Sequence, residues 1–292
     1  MVNLALSLSL TVATTSAMPG RAGEPPEGSK LVTMTLVSET EGLAPGTTQN
    51  VGLRFVIAPG WHIYWPGSND SGFPPSIKIA APDGFTVAEP QWPAPIRHVA
   101  PGDLLDHVLE GDVLVIVPIS TPDNAPLGGT VTLTAESGWL VCKSACIPGD
   151  GRSTLTLDIR KDPPPSSVRP LFAASRARQA AALPADASVR CEIRNGDFIA
   201  SGPAGTRLRF FPFEDGAALS DLVTRGESRT NNLSIPLVAP DSDDRVRGVL
   251  EVFPASAGPN PSKFYSVDMP VRPDPKPAKP VPPSPPANSP GG

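Results

Sequence analysis

Asn50-Val51-Gly52-Leu53-Arg54-Phe55-Val56-Ile57-Ala58-Pro59-Gly60-Trp61-His62-Ile63-Tyr64-Trp65 reads as strand, turn, strand. Val51, Leu53, Phe55 and Ile57 recur at every second residue, the period of a strand with one buried face. Ala58-Pro59-Gly60 supplies the turn. The next five residues then place Trp61, Ile63 and Trp65 on one face and His62 and Tyr64 on the other. Pro66-Gly67-Ser68-Asn69-Asp70-Ser71-Gly72 cannot continue regular structure and opens a loop.

Outward from this pair, the same criteria give short strands at 31–37, 76–80, 84–88, 113–119, 130–135, 139–142 and 153–159, separated by Pro, Gly and Asp. Such spacing predicts an antiparallel β-sandwich over residues 30–161. With 39 prolines and 26 glycines in 292 residues, the composition also opposes a helical fold. Asp162-Pro163-Pro164-Pro165 breaks the pattern. Within the linker 162–186, the Ala/Arg-rich segment 166–183 is expected as one helix, with Ser166 or Ser167 as N-cap and Pro170 in its first turn. Strand patterns return at 189–193, 198–201, 208–213, 232–238, 246–253 and 264–269, predicting a second, smaller β-sandwich over 187–272. The fold class expected is therefore all-β, two sandwiches joined by a helix.

The ends carry different signals. Residues 1–18 hold a short apolar core followed by Thr14-Thr15-Ser16-Ala17, read as a signal peptide. Residues 19–29 are a flexible lead-in, and 273–292, nearly half proline, a disordered spacer that cannot pack a core. No later segment approaches the roughly 20 apolar residues of a membrane span. The mature chain is thus expected without a transmembrane segment, in an exported compartment that permits disulfides. A net charge of -5 gives no basic footprint, which excludes nucleic acid as a partner.

Chemistry concentrates in Trp139-Leu140-Val141-Cys142-Lys143-Ser144-Ala145-Cys146-Ile147-Pro148-Gly149, which carries two of the three cysteines. Thiol–disulfide exchange needs a thiolate and a second thiol near enough to resolve the mixed disulfide, and Cys142 and Cys146 supply both. Lys143 places a cation beside Cys142, while Pro148 and Gly149 are expected to keep the following backbone out of a regular strand. A permanent bridge pinning two strand ends is an open alternative. A third is a Cu(I) site completed by His62, His98 or His107, although no His lies in the Cys segment and each lone histidine reads as a surface or half-buried strand residue. No metal ligand set is assigned. Cys191 reads as a buried free thiol. Motifs for serine hydrolases, zinc proteases, nucleotides and c-type haem are lacking, so no cofactor is expected.

Five blocks in order carry a resemblance: Pro59-Gly60-Trp61-His62-Ile63-Tyr64-Trp65, Asn69-Asp70-Ser71-Gly72-Phe73-Pro74-Pro75, Gln91-Trp92-Pro93-Ala94-Pro95, Glu110-Gly111-Asp112-Val113 with Val117-Pro118-Ile119, and Trp139-Leu140-Val141-Cys142 with Cys146-Ile147-Pro148. Together they resemble the periplasmic N-terminal domain of the DsbD/ScsB group of thiol:disulfide interchange proteins. The resemblance implies an immunoglobulin-like sandwich and a periplasmic location. It also implies a protein-disulfide reductase role, with Cys142 and Cys146 as the redox pair. In the family the second cysteine forms mixed disulfides, which maps to Cys146 and leaves Cys142 as resolving partner. The implied partners are a membrane-embedded or thioredoxin-like reductant, expected as a separate protein, and oxidised periplasmic proteins. A family cap loop over the disulfide maps to part of 98–107, with Leu104, Leu105 or Val108 expected to shield the sulfurs. The alternative expectation is a non-enzymatic β-sandwich binding module with a structural disulfide or a Cu(I) site.

Overall fold

A computed structural model describes residues 27–242, 244–256 and 261–272. The signal-peptide reading (1–18), most of the lead-in and the Pro-rich tail (273–292) lie outside them. The first unit contains β1 (Val32–Ser38), β2 (Gly42–Leu43), β3 (Thr48–Ile57), β4 (His62–Tyr64), β5 (Ser76–Ala80), β6 (Thr86–Val87), β7 (Ile96–Ala100), β8 (Leu104–Glu110), β9 (Asp112–Ser120), β10 (Thr130–Cys142) and β11 (Cys146–Ile159). One sheet has the order β1-β3-β9-β6. The other runs β2-β11-β10-β4-β8-β7, with β5 also paired to β10. The period-2 residues Val51, Leu53, Phe55 and Ile57 are buried between the sheets. There the Phe55 and Trp139 rings meet edge to face, with centroids 5.9 Å apart, a favoured geometry for aromatic pairs. The chain is all-β in its core, as the alternation required.

Several boundaries differ from the sequence reading. The two strands expected at 130–135 and 139–142 are one strand, because Glu136, Ser137 and Gly138 continue the pairing on both sides, with β11 and with β5. Pro148 and Gly149 do not end regular structure: they pair in register with Leu140 and Trp139 inside β11. β2 pairs with β11 only at Asp158 and Ile159, so Pro148 lies on a stretch with one open side, where a missing N–H is tolerated. Glu27–Lys30 forms a short 3-10 turn rather than a free lead-in. Gly28 is buried there, so close to the Pro148 carbonyl that a Cβ would overlap it. The stretch mapped to a cap loop is mostly the hairpin β7–β8, turning at Pro101-Gly102-Asp103.

The helix α1 (Arg169–Arg176) is shorter than 166–183 and lacks the expected cap. Its N-cap position is Val168 with no side-chain hydrogen bond, while the Ser166 hydroxyl donates to the Ser38 carbonyl instead. Pro170 does sit in the first turn. Phe172 is fully buried with Leu114 and Ile116, and the Ser175 hydroxyl donates to the Leu114 carbonyl at 2.7 Å, so α1 is fastened to β9. After the helix the chain turns along the second unit, where Ala181 donates to Phe264 and accepts from Ser266.

That second unit comprises β12 (Arg190–Arg194), β13 (Asp197–Ser201), β14 (Thr206–Pro212), the short helix α2 (Leu222–Arg225), β15 (Asn232–Pro236), β16 (Arg245–Pro254) and β17 (Lys263–Pro270). Two three-stranded sheets, β12-β13-β15 and β14-β16-β17, enclose Phe198, Phe210, Leu233 and Leu250. The two units share packing. Phe211, Val249 and Phe264 are buried with the first unit's core, and Phe213 stacks on Trp65 with centroids 5.0 Å apart.

Candidate redox site

The register of three strands builds the site. Cys142, the last residue of β10, pairs with Cys146, the first of β11, and also with His62 of β4. His62 in turn opposes Glu110, and Tyr64 opposes Val108, on β8. Side chains at these paired positions share one face of the sheet. Ile63, Trp65, Trp139 and Val141 point the other way, into the main core. The alternation read from 61–65 is thus what separates a packing face from a chemical one.

Cys142 and Cys146 form a disulfide across the hairpin turn Lys143-Ser144-Ala145. The two sulfur-bearing residues differ in access. Cys142 is 3% exposed and packs with Tyr64, Val108 and Leu140, whereas Cys146 is exposed. Of the three residues expected to shield the pair, Val108 sits in this cluster; Leu104 is 41% exposed. Lys143 is exposed, and its ammonium lies over the Gly60 turn.

The Tyr64 hydroxyl lies 3.1 Å from Cys142 Sγ, 3.3 Å from Cys146 Sγ and 3.0 Å from Ser71 Oγ. Ser71 donates its hydroxyl hydrogen to Asp106 at 2.5 Å, and its backbone N–H donates to the same carboxylate at 3.0 Å. Ser71 Oγ is therefore left as an acceptor for the phenol. Tyr64 has one hydrogen to give, to Ser71 or to a sulfur, and a thiolate is a far better acceptor than a disulfide sulfur. Burial first, and then the Asp106 carboxylate, push the phenol above its ordinary pKa, although the Ser71 hydrogen bond opposes them. The donor proton is kept.

The loop motif Asn69-Asp70-Ser71-Gly72 is the part that strand reasoning left without a job. Here it acts as a surrogate strand along β8: Asn69 Oδ1 accepts from the His107 N–H at 2.7 Å and Asp70 Oδ2 from the Leu105 N–H at 2.7 Å. Gly72 lies against the Tyr64 ring, where a Cβ would overlap the aromatic carbons. The signal available in sequence was the Asx-Asx-Ser-Gly composition itself, which favours local side-chain to backbone hydrogen bonding.

The three histidines separate. His62 and His107 are buried rather than surface residues, while His98 is half-buried. His107 donates from Nδ1 to the Ser68 carbonyl at 2.7 Å and packs edge-on against Phe211 at 5.6 Å, away from the sulfurs. Burial, offset only in part by that hydrogen bond, lowers its pKa to about 4. His62 and His98 meet with ring centroids 4.8 Å apart beside the disulfide. Burial, and then the neighbouring His98, hold His62 below its ordinary value. Cys191 stays a free, half-buried thiol in β12, and burial pushes its pKa up to about 12, which leaves it inert at neutral pH.

Residues 33–158 match the family model described as the N-terminal part of thiol:disulfide interchange protein DsbD. That segment contains the whole site and is similar to the N-terminal domain of this family. Over 82% of this chain and 91% of its own, the structure of the N-terminal periplasmic domain of ScsB from Proteus mirabilis superposes with a TM-score of 0.50 at 14% identity. This likeness shows a shared fold extending beyond the family segment. The periplasmic chaperone SfaE (TM-score 0.22, 10% identity, 80% of this chain and 97% of that one) and the Bacillus cereus pilin BcpA (0.24, 7%, 82% and 66%) are too loose in shape to bear on it. No curated protein sequence matches. Among the described residues, no helix is long and apolar enough to cross a membrane.

Proposed function

We propose that this protein is a periplasmic protein-disulfide reductase component that cycles Cys142 and Cys146 between disulfide and dithiol. The observation that carries the reading is the asymmetry of the pair, one exposed sulfur-bearing residue and one buried under Tyr64, inside a DsbD N-terminal-type domain. A thiolate of a membrane-linked or thioredoxin-like reductant attacks Cys146 Sγ. The Cys142–Cys146 bond breaks, and its electron pair leaves on Cys142 Sγ as a thiolate that the Tyr64 hydroxyl stabilises. A second thiolate of the reductant resolves the mixed disulfide and frees the dithiol. In the forward half-cycle the Cys146 thiolate attacks an oxidised protein, and Cys142 closes the bridge again as the reduced product departs.

A purely structural bridge fits less well. Cys142 and Cys146 are separated by only four positions in the chain, so the loop they close is very short and the bridge removes little entropy from the unfolded state. Trapping tests the roles: Cys142→Ala should accumulate a mixed disulfide through Cys146, and Cys146→Ala should not. A redox titration in which the pair stays oxidised well below about -300 mV would make the bridge structural and sink the proposal.

A further inference from the structure

We infer that His62, His98 and Glu110 form a binding site for one divalent transition-metal ion of the Zn(II) type, and that filling it ties β7, through His98, to β4 across the intervening β8. The inference is independent of the exchange reading, since it uses neither sulfur as a ligand.

The three side chains come from three strands, and their potential donor atoms all lie within 4.8 Å of one another. His62 and Glu110 are direct partners across β4 and β8. His98 is not their neighbour by register: it opposes Asp106, four positions along β8 from Glu110. Its ring nevertheless reaches the His62 ring, at 4.8 Å between centroids and 44° between planes. The hairpin must therefore coil back over the face that holds the disulfide, and it delivers an imidazole there.

Nothing else occupies these groups. Among the described residues, no hydrogen bond or ion pair engages the His62 ring, the His98 ring or the Glu110 carboxylate, although His62 is only 5% exposed. Neither ring nitrogen of His62 is among the fully buried polar atoms that lack a partner, so the ring is open to an incoming ion. Two imidazoles and a carboxylate are the donor set of three-ligand zinc sites, in which a fourth position stays open to water. Cu(I) prefers thiolate or thioether donors, and both nearby thiols are tied up in the disulfide, so the set selects a borderline divalent ion. Zn–N and Zn–O bonds of about 2.0–2.2 Å place donors closer together than 4.8 Å, so binding contracts the cluster. Exposed Glu110 and half-buried His98 are free to rotate inwards onto buried His62.

The consequence lies at the neighbouring residue. His62 pairs with Cys142, and Val108, which covers Cys142, sits between His98 and Glu110 along the same hairpin. A bound ion therefore closes the hairpin on the buried sulfur from two sides.

The test is calorimetric titration of the oxidised full chain with Zn(II), together with its melting temperature with and without the ion. One ion per chain and a rise in melting temperature are expected. His98→Ala and Glu110→Gln, both at positions accessible enough to leave the fold intact, should each weaken binding about tenfold or more and remove the thermal shift. Asp158→Asn, an exposed carboxylate at the far end of β11, should bind as the parent does. No binding of Zn(II), or binding that survives the double variant His98→Ala/Glu110→Gln unchanged, overturns the site.

Discussion

The Tyr64 hydroxyl stands 3.1 Å from Cys142 Sγ, at the buried end of the disulfide. A hydrogen bond to a charged acceptor contributes roughly 1.5–3 kcal/mol, so removal of the hydroxyl from a departing thiolate should slow disulfide reduction about tenfold or more. Tyr64→Phe keeps the ring and leaves Ser71 donating to Asp106, which isolates that effect. Stopped-flow reduction by a thioredoxin-like donor measures it. Unchanged rates and an unchanged Cys142 thiol pKa would remove Tyr64 from the site.

Gly72 tests the same contact from behind. A Cβ there would overlap the Tyr64 ring, and overpacking of this kind typically costs about 1–3 kcal/mol. Gly72→Ala should lower the denaturation midpoint and also slow exchange, because the ring is displaced from the sulfurs. Loss of stability with parental exchange kinetics would show that the ring moves without consequence.

The two sandwiches are expected to unfold as a coupled pair. Phe211 belongs to the second unit by sequence but is fully buried with the first unit's core, near Trp65 and His107. Phe211→Ala should cost about 3–5 kcal/mol and split a single calorimetric transition into two. A single transition shifted as a whole would mean that the units remain one cooperative body.

His107 makes stability depend on pH. Its pKa falls from an ordinary 6.5 to about 4 in the folded protein. The unfolded state therefore binds more protons than the folded state in that window, and stability is lost as pH drops from 6.5 towards 4. Integrated over the shift, the loss is roughly 3 kcal/mol. His107 Nε2 has no partner to receive a second N–H. Chemical denaturation at pH 7 and pH 4.5 checks the slope, and nuclear magnetic resonance titration of the ring checks its source. A His107 that titrates near 6.5 would refute the assignment.

What local sequence dictates is limited by its range along the chain. The alternation at 50–65 fixed strands, turn and faces correctly, because a period of two is a local property of an extended backbone. It was enough to put Ile63 and Trp65 in the core and to separate His62 and Tyr64 from them. It was not enough to see that 98–107 is hairpin rather than loop, since Arg97-His98-Val99 lacks a clear apolar alternation and is held by pairing with β8. Pro148 continues β11 for the same reason: whether a position has an open side is a property of the sheet, not of the residue.

The site divides along the same line. From the chain alone came the cysteine pair, the order of blocks that carries the family resemblance, and the expectation of β-sandwiches. Only the folded protein decides that Cys142 is buried and Cys146 exposed, that Tyr64 and Ser71 reach across to Asp106, and that His98 arrives beside His62 while His107 does not. Local sequence sets which face a side chain takes. Which partners meet on that face depends on the coiling and register of strands distant in the chain, and those are settled by burial of the whole core at once.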